Sequence, residues 1–172
     1  IDLSLGEPDF EPPPHVAEAA VEAIRKGGIR YGAPAGMESL RQAIVRKFKT
    51  ENGLDYSTDE VMVANGAKQI LFDVFLATLE AGDEVIIPTP CWVSYGDIVS
   101  LHGGTPVYLT CGADAGFKLS AEQLEAAITP KTRWLMLNSP SNPTGAIYSG
   151  EEYRKLADVL ARHPRVLIVS DE

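Results

Sequence analysis

Residues 133–172 read RWLMLNSPSNPTGAIYSGEEYRKLADVLARHPRVLIVSDE. An apolar run, Arg133-Trp134-Leu135-Met136-Leu137, gives way to a polar loop, Asn138-Ser139-Pro140-Ser141-Asn142-Pro143-Thr144-Gly145. Tyr153, Leu156, Ala157 and Leu160 then recur at i, i+3, i+4 and i+7, the spacing of one helix face. A second apolar run, Arg165 to Val169, closes the stretch. It lacks the apolar–polar alternation of a half-solvated strand and reads as a strand buried on both faces, as in a parallel sheet. Strand, helix and strand in this order form a βαβ unit.

The same pattern extends toward the amino terminus. Short β-rich runs are expected at Val61–Ala64, Glu84–Ile87 and Thr105–Leu109. Helical spacing appears at Leu40, Ile44, Val45 and Phe48, at Ile70, Leu71, Val74 and Phe75, and at Leu124, Ala127 and Ile128. Ser120 ahead of Glu122-Gln123 reads as an N-cap with a capping box, and Gly53 and Gly82 read as helix stops. The expected fold class is α/β, a three-layer sandwich with a mostly parallel sheet. Pro8, Pro12, Pro13 and Pro14 mark an extended arm leading into a helix at about His15. The expected organisation is an arm and first helix over 1–35 and an incomplete large domain over 36–172.

Composition excludes several classes. With 172 residues, 45% hydrophobic and 23% charged, the chain is ordinary globular protein, neither disordered nor fibrous. A net charge of −9 gives no average field for nucleic acid or an anionic membrane. Ile70 to Leu79 is short and interrupted by Asp73, so no membrane span is expected. Cys91 and Cys111 cannot form a disulfide framework, and His15, His102 and His163 lack metal-ligand spacing, so no metal is expected. His15 is expected near a helix start, and His102 and His163 at helix ends. No signal peptide is evident, and a reducing, cytoplasmic setting is the expectation. The chain has no initiator Met, opens on the strand-like Ile1-Asp2-Leu3-Ser4-Leu5 and stops just past an apolar run, which reads as a cut chain.

Familiar α/β motifs are missing: no G-x-G-x-x-G, no G-x-x-x-x-G-K-[ST] and no G-x-S-x-G occurs. Segments at strand ends carry the chemistry instead. Val63-Ala64-Asn65-Gly66-Ala67-Lys68-Gln69 passes through a Gly turn into a helix, whose N-terminal amides suit a phosphate; many ordinary turns also carry a Gly. Pro88 to Tyr95 places Trp92 at the sheet edge, either as a core residue or as a plate for a planar ring. The 138–145 loop holds two X-Pro bonds and two Asn, more constraint than a plain connection needs. Asp171 follows an apolar run, where a carboxylate is costly unless it meets a cation such as a protonated ring nitrogen.

Taken together, Leu5 to Phe10, Tyr31 with Gly36 to Arg41, Asn65 to Gln69, Pro90 to Tyr95, Asn138 to Gly145 and Ser170-Asp171-Glu172 resemble the class I aspartate aminotransferases. These are fold-type I enzymes dependent on pyridoxal 5′-phosphate, and the likeness is to the bacterial subgroup with a W-V-S-Y segment. The resemblance implies that Gly66, Ala67 and Lys68 hold the cofactor phosphate and that Trp92 stacks on the ring. It assigns Asn142 to the phenolic oxygen and Asp171 to keeping the pyridine nitrogen protonated. Gly6 is implied at the substrate α-carboxylate, with Trp92 and Asn142 also facing substrate, and Lys68 at a second carboxylate, hence aspartate or glutamate with a 2-oxo acid. Tyr31 is implied to reach the phosphate of a neighbouring subunit, so the partner expected is a second copy in a homodimer with shared sites. Cys91 departs from the subgroup's usual Tyr, and Gly28-Ile29-Arg30 from a more polar run.

The resemblance also places the Schiff-base lysine and two anion-binding arginines beyond Glu172. None of Lys26, Lys47, Lys49, Lys68, Lys118, Lys131 and Lys155 has the Schiff-base context, so the piece is expected to be an inactive amino-terminal fragment. Thr89-Pro90 and Asn142-Pro143 are expected to be cis or tightly turned. Two alternatives stay open: another reaction on the same cofactor, as in a C–S lyase or decarboxylase, and a non-catalytic sensor domain of this fold.

Overall fold

The computed structural model describes residues 6, 8–27 and 30–172. The expected strand at Ile1–Leu5, Leu5 and Glu7 of the first motif, and Gly28-Ile29 lie outside the described residues. The chain divides into two compact units, residues 1–63 and 64–172.

In the first unit, helix α1 (Pro14–Lys26) starts on a proline, whose missing N–H costs nothing there, and none of its side chains is buried. Helix α2 (Glu38–Lys47) runs into a π-helical turn, Phe48–Asn52, that stops at Gly53 in the left-handed conformation, φ 67°. Arg41 ties the unit together, donating through Nη1 to the Thr58 carbonyl at 2.9 Å and through Nη2 to Glu38 at 2.5 Å. Gly36 has φ 98°, and a Cβ there would stand 2.7 Å from Cβ of Val63, so the position requires glycine. The strand expected at Val61–Ala64 does not form. A 3₁₀ turn, Thr58–Glu60, precedes it, and the run is held by the Val63 N–H to Ala35 carbonyl bond at 3.0 Å rather than by a ladder.

The second unit alternates as the sequence predicts: α3 (Ala67–Thr78), β1 (Glu84–Thr89), α4 (Ser94–Leu101), β2 (Thr105–Thr110), α5 (Ala121–Ala127), β3 (Thr132–Asn138), α6 (Gly150–Leu160) and β4 (Leu167–Asp171). The four strands pair entirely in parallel, in the order β2-β1-β3-β4. Side chains alternate across the pleat. Val85, Ile87, Trp134 and Met136 pack with Leu71, Phe75, Tyr95, Ile98 and Val99 of α3 and α4 on one face. Ile86, Leu135 and Leu137 pack with Leu124, Leu156, Val159 and Leu160 of α5 and α6 on the other. The result is the expected three layers.

Caps fix the helix starts. Ser120 accepts from the Gln123 N–H, and Ser149 from the Glu152 N–H, and each serine's own N–H donates in return to the N3 side-chain oxygen. Gly82 is not the helix stop expected of it. Helix α3 ends at Thr78, capped by the Leu79 N–H on Phe75, and Gly82, φ 91°, belongs to the turn that feeds β1. His15 lies in the first turn of α1, His102 caps α4, and His163 follows α6 against Glu125. Cys91 and Cys111 are unpaired. Among the described residues, no helix is long and apolar enough to cross a membrane, and no group of three or more His, Cys, Asp or Glu is placed to hold a metal ion.

Candidate active site

Strand order places the site. The chain leaves β1 toward β2 on one side, and β3 and β4 lie on the other, so the topology reverses between β1 and β3. Open α/β sheets bind ligands at the carboxyl ends of strands at such a point. The ladder between β1 and β3 ends at Ile86 and Leu135, while β1 continues beside β2 to Thr89. Pro88, two residues beyond, has no N–H to extend it. The two strands therefore separate, and the segments after them, 90–95 and 138–145, flank the opening. Thr89-Pro90 and Asn142-Pro143 are cis, as the sequence reading expects, and Ser139-Pro140 is cis as well.

Four of the expected site residues, Lys68, Trp92, Asp171 and Asn142, connect through short contacts with two others, Tyr95 and Asn138. The Lys68 ammonium sits 4.7 Å from the centroid of the Trp92 ring, within cation–π range. Trp92 meets Tyr95 edge-on, with centroids 5.5 Å apart at 82°. Trp92 is only half-buried, and the core tryptophan of this region is Trp134, whose Nε1 donates to Thr78. Tyr95 is buried, and its hydroxyl donates to Oδ2 of Asp171 at 2.6 Å. Asn138 donates through Nδ2 to the Asp171 carbonyl at 2.7 Å and accepts from the Asn142 N–H at 2.7 Å. These five contacts run from Lys68 and Trp92 through Asp171 to Asn142.

Gly66 caps α3 with φ 90°, a backbone angle that suits glycine. Its carbonyl accepts the Gln69 and Ile70 N–H groups, whereas among the described residues the Ala67 and Lys68 N–H groups donate to nothing. Gly66, Ala67 and Lys68 are exposed. The Asn65 N–H is taken by the Gln69 side chain at 2.9 Å, which braces the turn.

Electrostatics agree with this layout. Asp171 is half-buried, and its partner is a phenol where the sequence reading looks for a cation; Oδ1 accepts nothing among the described residues. Burial raises the Tyr95 phenol far above its ordinary pKa, and the hydrogen bond to Asp171 raises it further, so Tyr95 stays a donor at any physiological pH. Burial also raises the Cys91 thiol, which leaves it a poor nucleophile.

The arrangement can receive a specific kind of molecule. Free amides at a helix N-terminus, with an ammonium beside them, suit a phosphate. A half-buried indole suits a planar ring, and a carboxylate with one open oxygen suits a protonated ring nitrogen. Gly6 and Tyr31 belong to the first unit, where both are exposed, and their assignment rests on the resemblance alone. Sequence reasoning missed Tyr95 and Asn138 as site residues. Tyr95 was within reach as part of the W-V-S-Y segment, whereas Asn138 becomes meaningful only with the register of β3 and β4.

The comparisons with known proteins point the same way. The family model for aminotransferase class I and II matches residues 1–172. The chain is 56% identical over 172 residues to an aspartate aminotransferase of Rhizobium meliloti, covering all of this chain and 42% of that protein. It is 54% identical over 172 residues to an aspartate/prephenate aminotransferase of Cereibacter sphaeroides, covering all of this chain and 43% of that one. A crystal structure of the Rhizobium meliloti aspartate aminotransferase superimposes with a TM-score of 0.96 at 57% identity, over 98% of this chain and 42% of that one. The chain thus spans about two fifths of the length of these relatives.

Proposed function

The chain belongs to the class I and II aminotransferases, and on that premise we propose that the whole protein moves an amino group from L-aspartate or L-glutamate to a 2-oxo acid with pyridoxal 5′-phosphate. The observation that carries this reading is the unbroken series of contacts from Lys68 through Trp92, Tyr95, Asp171 and Asn138 to Asn142 at one sheet edge. Bound there, the cofactor supplies an electron sink for the carbanion at the substrate Cα, deepest when its ring nitrogen carries a proton.

The roles of the chain's own residues follow from their chemistry. Gly66, Ala67 and Lys68 bind the phosphate through two free amides and a positive charge, and Lys68 adds a partner for a second substrate carboxylate. Trp92 covers one face of the ring and keeps water from it. Asp171 holds the proton on the ring nitrogen, with Tyr95 fixing the orientation of its carboxylate. Asn142 donates to the ring's phenolic oxygen. Gly6 meets the substrate α-carboxylate, and Tyr31 serves a neighbouring subunit in a cytoplasmic homodimer; these two roles, the Schiff-base lysine elsewhere in the protein and the place of 36–172 in the cofactor-binding large domain come from the resemblance.

The test is the whole protein supplied with pyridoxal phosphate, L-aspartate and 2-oxoglutarate. The expected products are oxaloacetate and glutamate in equal amounts, and Asp171→Ala abolishes them. With an S-substituted cysteine in place of aspartate, ammonia, pyruvate and the released thiol would indicate elimination, and carbon dioxide with β-alanine from aspartate would indicate decarboxylation; either product set without amino transfer would replace the transfer reading. No turnover together with no binding of the cofactor would remove it altogether.

A further inference from the structure

Asn138 is the last residue of β3, and its Cα is in register with Asp171, the last residue of β4. Beyond this pair no ladder holds the strand ends together. The Asn138 side chain supplies the missing cross-links: Nδ2 donates to the Asp171 carbonyl at 2.7 Å, and Oδ1 accepts the Asn142 N–H at 2.7 Å. One planar amide thereby sets the distance between the strand end that carries one ring-binding group and the exposed loop that carries another. We infer that Asn138 is a positioning residue that holds Asp171 and Asn142 at the separation needed to grip the nitrogen and the phenolic oxygen of one ring.

The chemistry of the amide explains the residue. Both 2.7 Å bonds require a donor and an acceptor on the same short side chain. Aspartate would present a second acceptor to the Asp171 carbonyl, serine offers one oxygen for two jobs, and leucine fills the volume with neither function. Asn138 is half-buried, so lost partners are only partly replaced by water. The 138–145 loop is braced by the Ser141–Ala146 and Gly145–Ser141 backbone bonds and by Thr144 and Ser139 hydroxyls that accept the Ala146 and Tyr148 N–H groups, and these leave the Asn142 N–H to Asn138. Without that anchor, the Asn142 end of the loop and the tip of β4 move independently.

This inference rests on the cofactor reading of the site, and the experiment separates the two. The probe is pyridoxamine 5′-phosphate labelled with ¹⁵N in the ring, which binds without a Schiff base. Affinity is read by titration, and the pH midpoint of the bound ring nitrogen by its ¹⁵N shift, for the protein, Asn138→Ala and Asn138→Leu. The expected result is about tenfold weaker binding in both variants and a ring-nitrogen midpoint lower by about one pH unit, since Asp171 no longer faces that nitrogen squarely. Variants that melt earlier but keep the parent's midpoint and affinity would make Asn138 merely structural and overturn the inference, as would variants identical to the parent. If Asn138→Ala does not fold, the near-isosteric Asn138→Leu decides. Failure of the unsubstituted protein to bind the probe would instead overturn the reading of the site.

Discussion

Removing one oxygen atom, in Tyr95→Phe, tests how the candidate site holds its carboxylate. The Tyr95 ring is buried at 2% exposure and packs edge-on against Trp92, contacts that phenylalanine keeps. What disappears is the 2.6 Å bond from the hydroxyl to Oδ2 of Asp171. A hydrogen bond to a charged acceptor contributes about 1.5–3 kcal/mol, and Asp171, being half-buried, regains some water when the bond is lost. We expect a loss near 2 kcal/mol, which for a domain of this size lowers the melting temperature by about 4–8 °C. A double-mutant cycle with Asp171→Ala, read by thermal or urea unfolding, isolates the pair and should return a coupling of about 1–2 kcal/mol. The sign of the pH effect follows from the raised phenol. A group whose folded pKa lies above its unfolded value stabilises the fold below the unfolded value, near pH 10, and loses that contribution as pH rises through the folded one. Tyr95 is thus silent in the 295 nm absorbance titration of the folded protein, and Tyr95→Phe should overlay the parent up to about pH 11. A coupling under about 0.5 kcal/mol, or a lost tyrosine transition near pH 10, would refute the argument.

Other substitutions probe the scaffold and its charges. Leu135→Ala, at a fully buried position of β3 in the core shared with α5 and α6, should cost about 2–5 kcal/mol in urea unfolding, against less than about 0.5 for Leu101→Ala, which is 70% exposed. Ser149→Ala removes the cap of α6 and should cost about 1 kcal/mol while leaving pyridoxamine phosphate affinity unchanged, because the cap lies outside the site network. The Lys118 side chain, followed by the Ser149 cap, lowers the Glu152 carboxyl to about 2. Its ionised form therefore supports the fold above the ordinary carboxylate pKa and loses that effect as pH falls through about 2. Carboxyl ¹³C titration should show the midpoint moving up in Lys118→Met, though short of the ordinary value because Ser149 remains.

Much of the second unit was legible in sequence because its elements announce themselves locally. Strands β1, β2, β3 and β4 each fall on an expected apolar run, with ends displaced by a residue or two where pairing with a neighbour decides the boundary; β4, read as buried on both faces, instead lies at the edge of the four-stranded sheet with Ile168 exposed, because an apolar run does not tell how many neighbours cover it. The Ser120 cap and the Gly53 stop depend on one residue's chemistry and were likewise readable. Val61–Ala64 misled because β propensity describes fitness for a sheet and cannot supply the partner strand; the Val63 N–H meets the Ala35 carbonyl, and the run's other backbone bonds, to Thr58 and from Gly66, are local turns. Gly82 misled because a positive φ serves a turn as well as a helix end. In the site, Lys68, Trp92, Asn142 and Asp171 stand out by type and position, but the groups that orient them do not. Tyr95 and Asn138 act through the register that sets Asn138 beside Asp171 and through the turn of α4 that aims a phenol across the sheet, and both are properties of the assembled fold.

The central claim is that the carboxyl edge between β1 and β3 receives pyridoxal phosphate, and its most direct test is a crystal structure of the protein with pyridoxamine 5′-phosphate. The account predicts the phosphate at the amides of Ala67 and Lys68, the ring against Trp92, and the ring nitrogen within hydrogen-bonding distance of Asp171 Oδ1. A cofactor seated elsewhere, or seated here with its ring nitrogen turned away from Asp171, would contradict it.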